Sequence, residues 1–208
     1  MEEKEIKEIL SSHKKWLNND AGGVKANLRH ANLQDADLQD ADLRYADLRY
    51  ANLRYADLRH ADLQDADLRY ANLQDADLQD ANLRYADLRD ANLQDADLRD
   101  ANLQDADLQD ADLQDANLQD ANLRHANLQD ANLQDANLQD ADLDFSVFPL
   151  WCGSFGMKVD DRLVTQLLGH IARLDYSMCS KDLQKYIKKI PKKYVNTICE
   201  RHSCVDKL

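Results

Sequence analysis

The sequence predicts a mainly β fold: a solenoid that turns a corner every five residues, preceded by one helix and followed by a small helical domain. Three observations predict it. Alanine stands at every fifth position from Ala26 to Ala141 and leucine from Leu28 to Leu143, giving 24 uninterrupted copies of Ala-[Asp/Asn]-Leu-X-X. That spacing suits a bent strand and defeats a helix. The period is missing before Ala26 and after Phe148, where apolar residues recur at helical spacing instead. The 208 residues therefore divide into a helical cap at 1–25, the solenoid at 26–148 and a helical domain at 149–208.

Residues 2–17 place Ile6, Ile9, Leu10, His13, Trp16 and Leu17 on one helical face. Glu2, Glu3 and Glu5 near the start and Lys14 and Lys15 near the end complement the helix dipole. Asn18-Asn19-Asp20 and Gly22-Gly23 then stop the helix. A helix here would cover the open backbone edge that the first solenoid coil presents.

The array itself cannot be helical. On an α-helix each residue advances about 100°, so the alanines and leucines of successive units scatter around the axis and leave no apolar face. On a strand, Ala and Leu two residues apart share one side, and the Asp or Asn between them faces the other way. Because five is odd, a straight strand would send each successive unit to the opposite face. A bend in every unit, always inward, keeps all the alanines and leucines inside. The flanking units are decayed: Ala21–Lys25 has Gly23 in the leucine column, and the unit after Leu143 has Ser146 and Phe148 in the two apolar columns.

The unit, as in Ala36-Asp37-Leu38-Gln39-Asp40, resembles the pentapeptide-repeat family over 120 of the 208 residues. That resemblance implies a right-handed quadrilateral β-helix with four units per coil, hence about six coils and a rod about 29 Å long at a strand spacing of about 4.8 Å.

Beyond Pro149, helical patterns run over about 159–174, 180–190 and 192–202, with Ser180 as an N-cap and Pro191 opening the last helix. Lys181, Lys185, Lys188, Lys189, Lys192 and Lys193 form a basic run there, read as a solvated face or one that complements acidic coils. The apolar helices of this domain could also pair two copies as a homodimer. Cys199 and Cys204 flank His202, and Cys152, His170 and Cys179 lie elsewhere in the same segment. The spacing lacks the paired knuckles of a zinc site, so buried reduced thiols and no bound metal are expected.

Charge is segregated. Residues 26–145 carry 28 Asp against 10 Arg, a net −18, whereas residues 1–25 are neutral and residues 146–208 carry +5. Residues 20 apart stack on one side if four units make a coil. One side then carries Arg29, Arg49, Arg69 and Arg89 in the position after leucine, beside His30, Tyr50, Tyr70, Asp90, Asp110 and Asp130. Arg29, Arg49, Arg69, Tyr50, Tyr70, Asp90, Asp110 and Asp130 are the candidate partner-binding surface. The next side carries an amide column of Asn32, Asn52, Asn72 and Asn92, interrupted by Asp112 and resumed at Asn132. A solenoid needs a charged exterior merely to stay dispersed, and this accounts for the same residues without a partner. The tyrosines Tyr45, Tyr50, Tyr55, Tyr70 and Tyr85 then read as β-favoured residues packing on neighbours. All 13 glutamines that follow a leucine in the array are themselves followed by Asp, a coupling that the sequence does not explain.

Catalysis needs unlike groups converging in a concave site. The array repeats the same Asp and Gln on convex walls, so neither catalytic residues nor a cofactor are expected. The expected function is a non-enzymatic macromolecular binding or scaffold protein, its partner another protein. The alternative is a DNA mimic: a net −18 over about 29 Å approaches the charge density of duplex DNA, about one per 1.7 Å. The family resemblance makes a topoisomerase of the DNA gyrase type, or another DNA-binding protein, a partner for such a mimic. Direct DNA binding by the acidic solenoid is not expected. With no leader-like segment and no apolar run of 18 residues, a cytoplasmic protein away from membranes is expected.

Overall fold

The computed structural model of the chain describes residues 1–144, 146 and 147. Helix α1 spans Glu3–Leu17. From Asn27 onward the chain forms parallel bridges between residues 20 apart, beginning with Asn27↔Asp47 and ending with Asn127↔Val147. Four five-residue units therefore complete each coil. Sides 1, 2, 3 and 4 are the units that start at Ala26, Ala31, Ala36 and Ala41, together with those at every twentieth residue after each.

The straight part of each side is shorter than a five-residue strand. Only the Asp/Asn residue forms a bridge, and the two residues after each leucine form the corner. There the alanine N–H closes a turn onto the leucine carbonyl three residues earlier, as in Ala31 to Leu28 at 3.0 Å. The fifth residue of each unit from His30 to Asp140 takes φ between 56° and 64°, the sign that the third position of a type II turn demands.

The repeat closes its backbone account within five residues. Asp47 donates its N–H to the Ala26 carbonyl at 3.0 Å, Leu28 donates to Asp47 at 2.7 Å, and His30 donates to Arg49 at 2.9 Å. The alanine N–H is spent in the turn. The remaining N–H, at the fourth residue, goes to the side chain of the Asp or Asn two residues earlier, as in Gln74 to Asn72 Oδ1 at 3.1 Å. All five donors of a unit inside the stack are thus satisfied, as a buried backbone requires. The second column admits only Asp or Asn because both carry an acceptor at the reach of that fourth N–H. Inside, every leucine from Leu28 to Leu138 is at most 1% exposed, and the alanines from Ala46 to Ala141 likewise.

Helix α1 lies against the first coil. Its C-terminus is a Schellman motif with Asn19 in the left-handed position at φ 59°: Asp20 donates to Lys15 at 2.8 Å and Asn19 to Trp16 at 3.0 Å. His13, fully buried, joins the helix to the coil. Its Nδ1 accepts from the Ala26 N–H at 3.0 Å and its Nε2 donates to the Arg44 carbonyl at 3.0 Å. Two partners of fixed polarity define the neutral Nε2–H tautomer. Gly23 occupies the leucine column because no side chain fits there: a Cβ would lie 2.3 Å from the Trp16 backbone nitrogen. The last turn of α1 fills the volume that leucine takes in later units.

The basic run at 181–193, the cysteines and the expected helices of the C-terminal domain lie outside the described residues. Among the described residues no helix is long and apolar enough to cross a membrane.

Candidate functional site

Side 1 carries the eight residues singled out from the sequence, and the coil spacing brings its corner residues into register. The rings of His30 and Tyr50 stack with centroids 4.9 Å apart at 16°, and those of Tyr50 and Tyr70 at 4.9 Å and 8°. The ladder ends at Asp90, which faces Tyr70 and raises its pKa, first through the negative charge and then through a hydrogen bond. Asp110 and Asp130 continue the column, accepting from Gln109 and Gln129 Nε2 at 3.0 and 3.1 Å. These tyrosines are not extended β residues. Tyr45, Tyr50, Tyr55, Tyr70 and Tyr85 all hold positive φ and project 41–49% exposed from the corners. A bulky side chain in that region costs on the order of 1 kcal/mol or more, which ring stacking and arginine contacts offset.

The arginine strip is internally bonded. Arg49 Nε and Nη2 grip both oxygens of Asp47 at 2.8 and 2.6 Å, and Nε reaches Asp67 in the next coil at 3.3 Å. Arg69 repeats this with Asp67 and Asp87, and Arg89 with Asp87 and Asp107. The Asp47 carboxyl is held below its usual pKa mainly by the Arg49 hydrogen bond. Burial pushes the Asp67 carboxyl up, but Arg69 outweighs it and the net shift is again downward.

Where Asn replaces Asp in the second column, the arginine turns elsewhere. Arg29 follows Asn27 and lies 5.6 Å from the Tyr50 ring centre. Arg54 and Arg84 follow Asn52 and Asn82, lie 5.0 and 5.1 Å from the Tyr55 and Tyr85 rings, and donate to their hydroxyls at 3.1 Å. Their buried Nε atoms have no hydrogen-bond partner.

The Gln-Asp coupling acquires a physical account. Glutamine Nε2 donates to the following aspartate at eight or more of the 13 sites, for example Gln64 to Asp65 and Gln104 to Asp105, both at 3.0 Å. That holds the carboxylate at the corner where positive φ favours Asp. The amide column of side 2 is joined at two steps, Asn52 to Asn32 at 3.2 Å and Asn132 to Asp112 at 2.9 Å.

The most acidic wall is not the one selected from the sequence. Side 3 carries nine Asp and two Arg, against seven and four on side 1. Its corner column runs Asp40, His60, Asp80, Asp100, Asp120 and Asp140, and His60 Nδ1 lies 3.8 Å from Asp80. Summing charge down each twenty-residue column would have found it. The wall's chemistry is that of a polyanion with fixed spacing.

The family model for pentapeptide repeats matches residues 24–59, 46–84, 76–115 and 116–148 in eight copies. Among solved structures, the chain is similar to HetL, a pentapeptide repeat protein involved in heterocyst differentiation regulation from Nostoc sp. strain PCC 7120. Identity is 35%, covering 65% of this chain and 66% of that one, with a TM-score of 0.35. It is similar also to Rfr23 from Cyanothece 51142, at 33% identity over 50% of this chain and 60% of that one, TM-score 0.32. A third is QnrB1, a plasmid-mediated fluoroquinolone resistance protein, at 17% identity over 66% and 85%, TM-score 0.36. The chain thus spans two-thirds or less of the first two proteins. No match was found among curated proteins. The five-residue period, the twenty-residue coil and the model match along 24–148 show that the chain belongs to the pentapeptide-repeat family of right-handed β-helix solenoids.

Proposed function

We propose that this protein is a non-enzymatic binding or scaffold protein whose acidic solenoid walls receive a positively charged macromolecule, in the first instance another protein. One observation carries the reading: every arginine of the array is engaged within the rod, while 15 fifth-column aspartates project from its corners. Cations that neutralise second-column carboxylates leave the corner carboxylates to meet a partner. The reading takes the array as about six coils, with α1 as its cap and residues 149–208 as a separate helical domain that could pair two copies. It assigns no catalytic residue, metal or cofactor, and it places the protein in the cytoplasm.

A second reading, mimicry of duplex DNA, is favoured by the match between −18 over about 29 Å and the charge spacing of DNA. Its partner would be a topoisomerase or another protein with a basic DNA-binding surface.

The test is competition in a topoisomerase supercoiling assay at low and moderate salt, with wild type, with Asp90, Asp110 and Asp130 changed to Asn, and with Asp80, Asp100 and Asp120 changed to Asn. Inhibition that fades with salt and is lost in either triple variant supports mimicry. No inhibition at micromolar protein sinks that reading and leaves the protein-binding one, which is then tested by salt-dependent capture of a basic protein domain on the immobilised chain.

A further inference from the structure

The ladder on side 3 begins at Asp37↔Asp57, and among the described residues nothing pairs with Asp37 on the other edge. In each later coil, the second-column residue gives its N–H to the alanine of the preceding coil and accepts from that coil's leucine, as Asp57 does with Ala36 at 2.9 Å and Leu38 at 2.8 Å. The fourth-column carbonyl accepts a third bond, as Arg59 does from Asp40 at 2.9 Å. The first coil has no predecessor. On side 4 the His13 ring serves the Arg44 carbonyl, and on side 2 the Met1 amine serves the Asn32 carbonyl at 2.8 Å. On side 3 the N–H and carbonyl of Asp37 and the carbonyl of Gln39 have no hydrogen-bond partner among the described residues, and both residues are exposed.

These groups line a cleft of about 480 Å³ between α1 and the coil, where Ile6, Lys7 and Leu10 face Leu33, Ala36 and Leu38. Leu10 and Ala36, half-buried, give the floor of the cleft its exposed apolar surface above the buried Ile6, Leu33 and Leu38, and an open β-edge forms one wall. An unpaired edge beside an apolar floor is the arrangement that takes up an added strand.

We infer that this cleft binds an extended peptide segment of a partner protein, which pairs in parallel with Asp37 as the missing quarter-coil. The register follows from the ladder. The peptide residue at position a offers its carbonyl to the Asp37 N–H, the residue at a+2 offers its N–H to the Asp37 carbonyl, and the residue at a+4 offers its N–H to Gln39. Residues a and a+2 point at the apolar floor, so the segment reads small, any, apolar, in the manner of Ala-Asn-Leu. With Lys7 paired to Glu3 and the Met1 amine on the Asn32 carbonyl, the carboxylates of Asp35 and Asp37 leave the cleft acidic and favour basic flanks. This site is the open end of side 3 and not its corner column, and its occupancy does not depend on the function of that column.

The probe is a fluorescein-labelled hexapeptide, acetyl-Lys-Ala-Asn-Leu-Gln-Lys-amide, titrated onto the full chain by anisotropy. A second probe carries N-methyl-leucine, which keeps the charge and the side chains but puts a methyl in place of the a+2 donor. The expected result is saturable binding at least tenfold weaker for the methylated probe, slowed hydrogen exchange of the Asp37 amide at saturation, and affinity within twofold when Asp80, Asp100 and Asp120 are changed to Asn. Equal binding of both probes, unchanged Asp37 exchange, loss of binding in the triple variant, or no anisotropy change at millimolar protein would each overturn the inference.

Discussion

The second-column Asp or Asn serves two functions that substitution separates. Its Oδ1 satisfies a backbone N–H, and its charge decides where the following arginine goes. Asn72→Ala leaves the Gln74 N–H without its acceptor and is expected to cost about 1 kcal/mol, whereas Asn72→Asp keeps the acceptor and changes stability by a few tenths. Urea midpoints read by circular dichroism distinguish the two. The same Asn-to-Asp change is expected to stabilise at position 52. Arg54 Nε is buried without a partner, while Arg49, which follows an aspartate, closes a two-point pair. Asn52→Asp supplies the missing carboxylate, and its gain of up to about 1 kcal/mol, read in the same midpoint, exceeds the loss of the exposed bond to Asn32.

Helix α1 is held at the coil by a buried imidazole and by a glycine without which the helix could not approach. Burial holds His13 below its ordinary pKa, and the opposing influences are its bond to the Arg44 carbonyl and the charge of Asp42. Lys25 and the Arg44 guanidinium push in the same direction as burial. With the folded value depressed, the unfolded state binds the extra proton first. The contribution is therefore complete above about 6.5 and falls away as pH drops through the folded value. Protonation of Nδ1 also turns an acceptor for Ala26 into a donor. Amide exchange in α1 should quicken, beyond the intrinsic pH effect, between pH 7.5 and 5.5. Gly23→Ala drives a methyl into the Trp16 backbone and is expected to displace α1 at every pH, at a cost of about 2 kcal/mol or more, and to remove that dependence.

The whole array is a polyanion whose coils repel one another through corner columns of like charge. At Asp95 burial raises the carboxyl pKa, and Asp115 and Asp75, one coil away on each side, add to it. Its raised folded value means that the folded state gains stability as pH falls towards that value, opposite to His13. At Asp42, Asp47 and Asp57 the hydrogen bond from the following arginine holds the folded value down, so their contribution is lost as pH falls below about 4 and acid in that range is expected to weaken the array. Added salt, which screens the same repulsion, is expected to raise the thermal midpoint of the array by a few degrees. Thermal scans of the β signal in 20 to 500 mM salt check this, and a midpoint that falls with salt would mean that the Asp–Arg pairs outweigh the repulsion.

The five-residue period alone determined the buried columns and the inward bend, because only a chain turning in every unit keeps Ala and Leu together. The position of α1 was equally legible, from its apolar face and its stop at Asn19. What lay beyond the sequence were relations between residues 20 apart or across the cap. Arg49 looked like a free cation until Asp47 and Asp67 closed on it, and Gly23 looked like decay until the Trp16 backbone took its space. His13 looked like one more residue on an apolar stripe, though its two hydrogen bonds reach 13 and 31 residues along the chain. Side-chain periodicity is a local property that a linear sequence carries in full. Partnership and open edges depend on which groups the coil brings within about 3 Å, and the tertiary structure alone decides that.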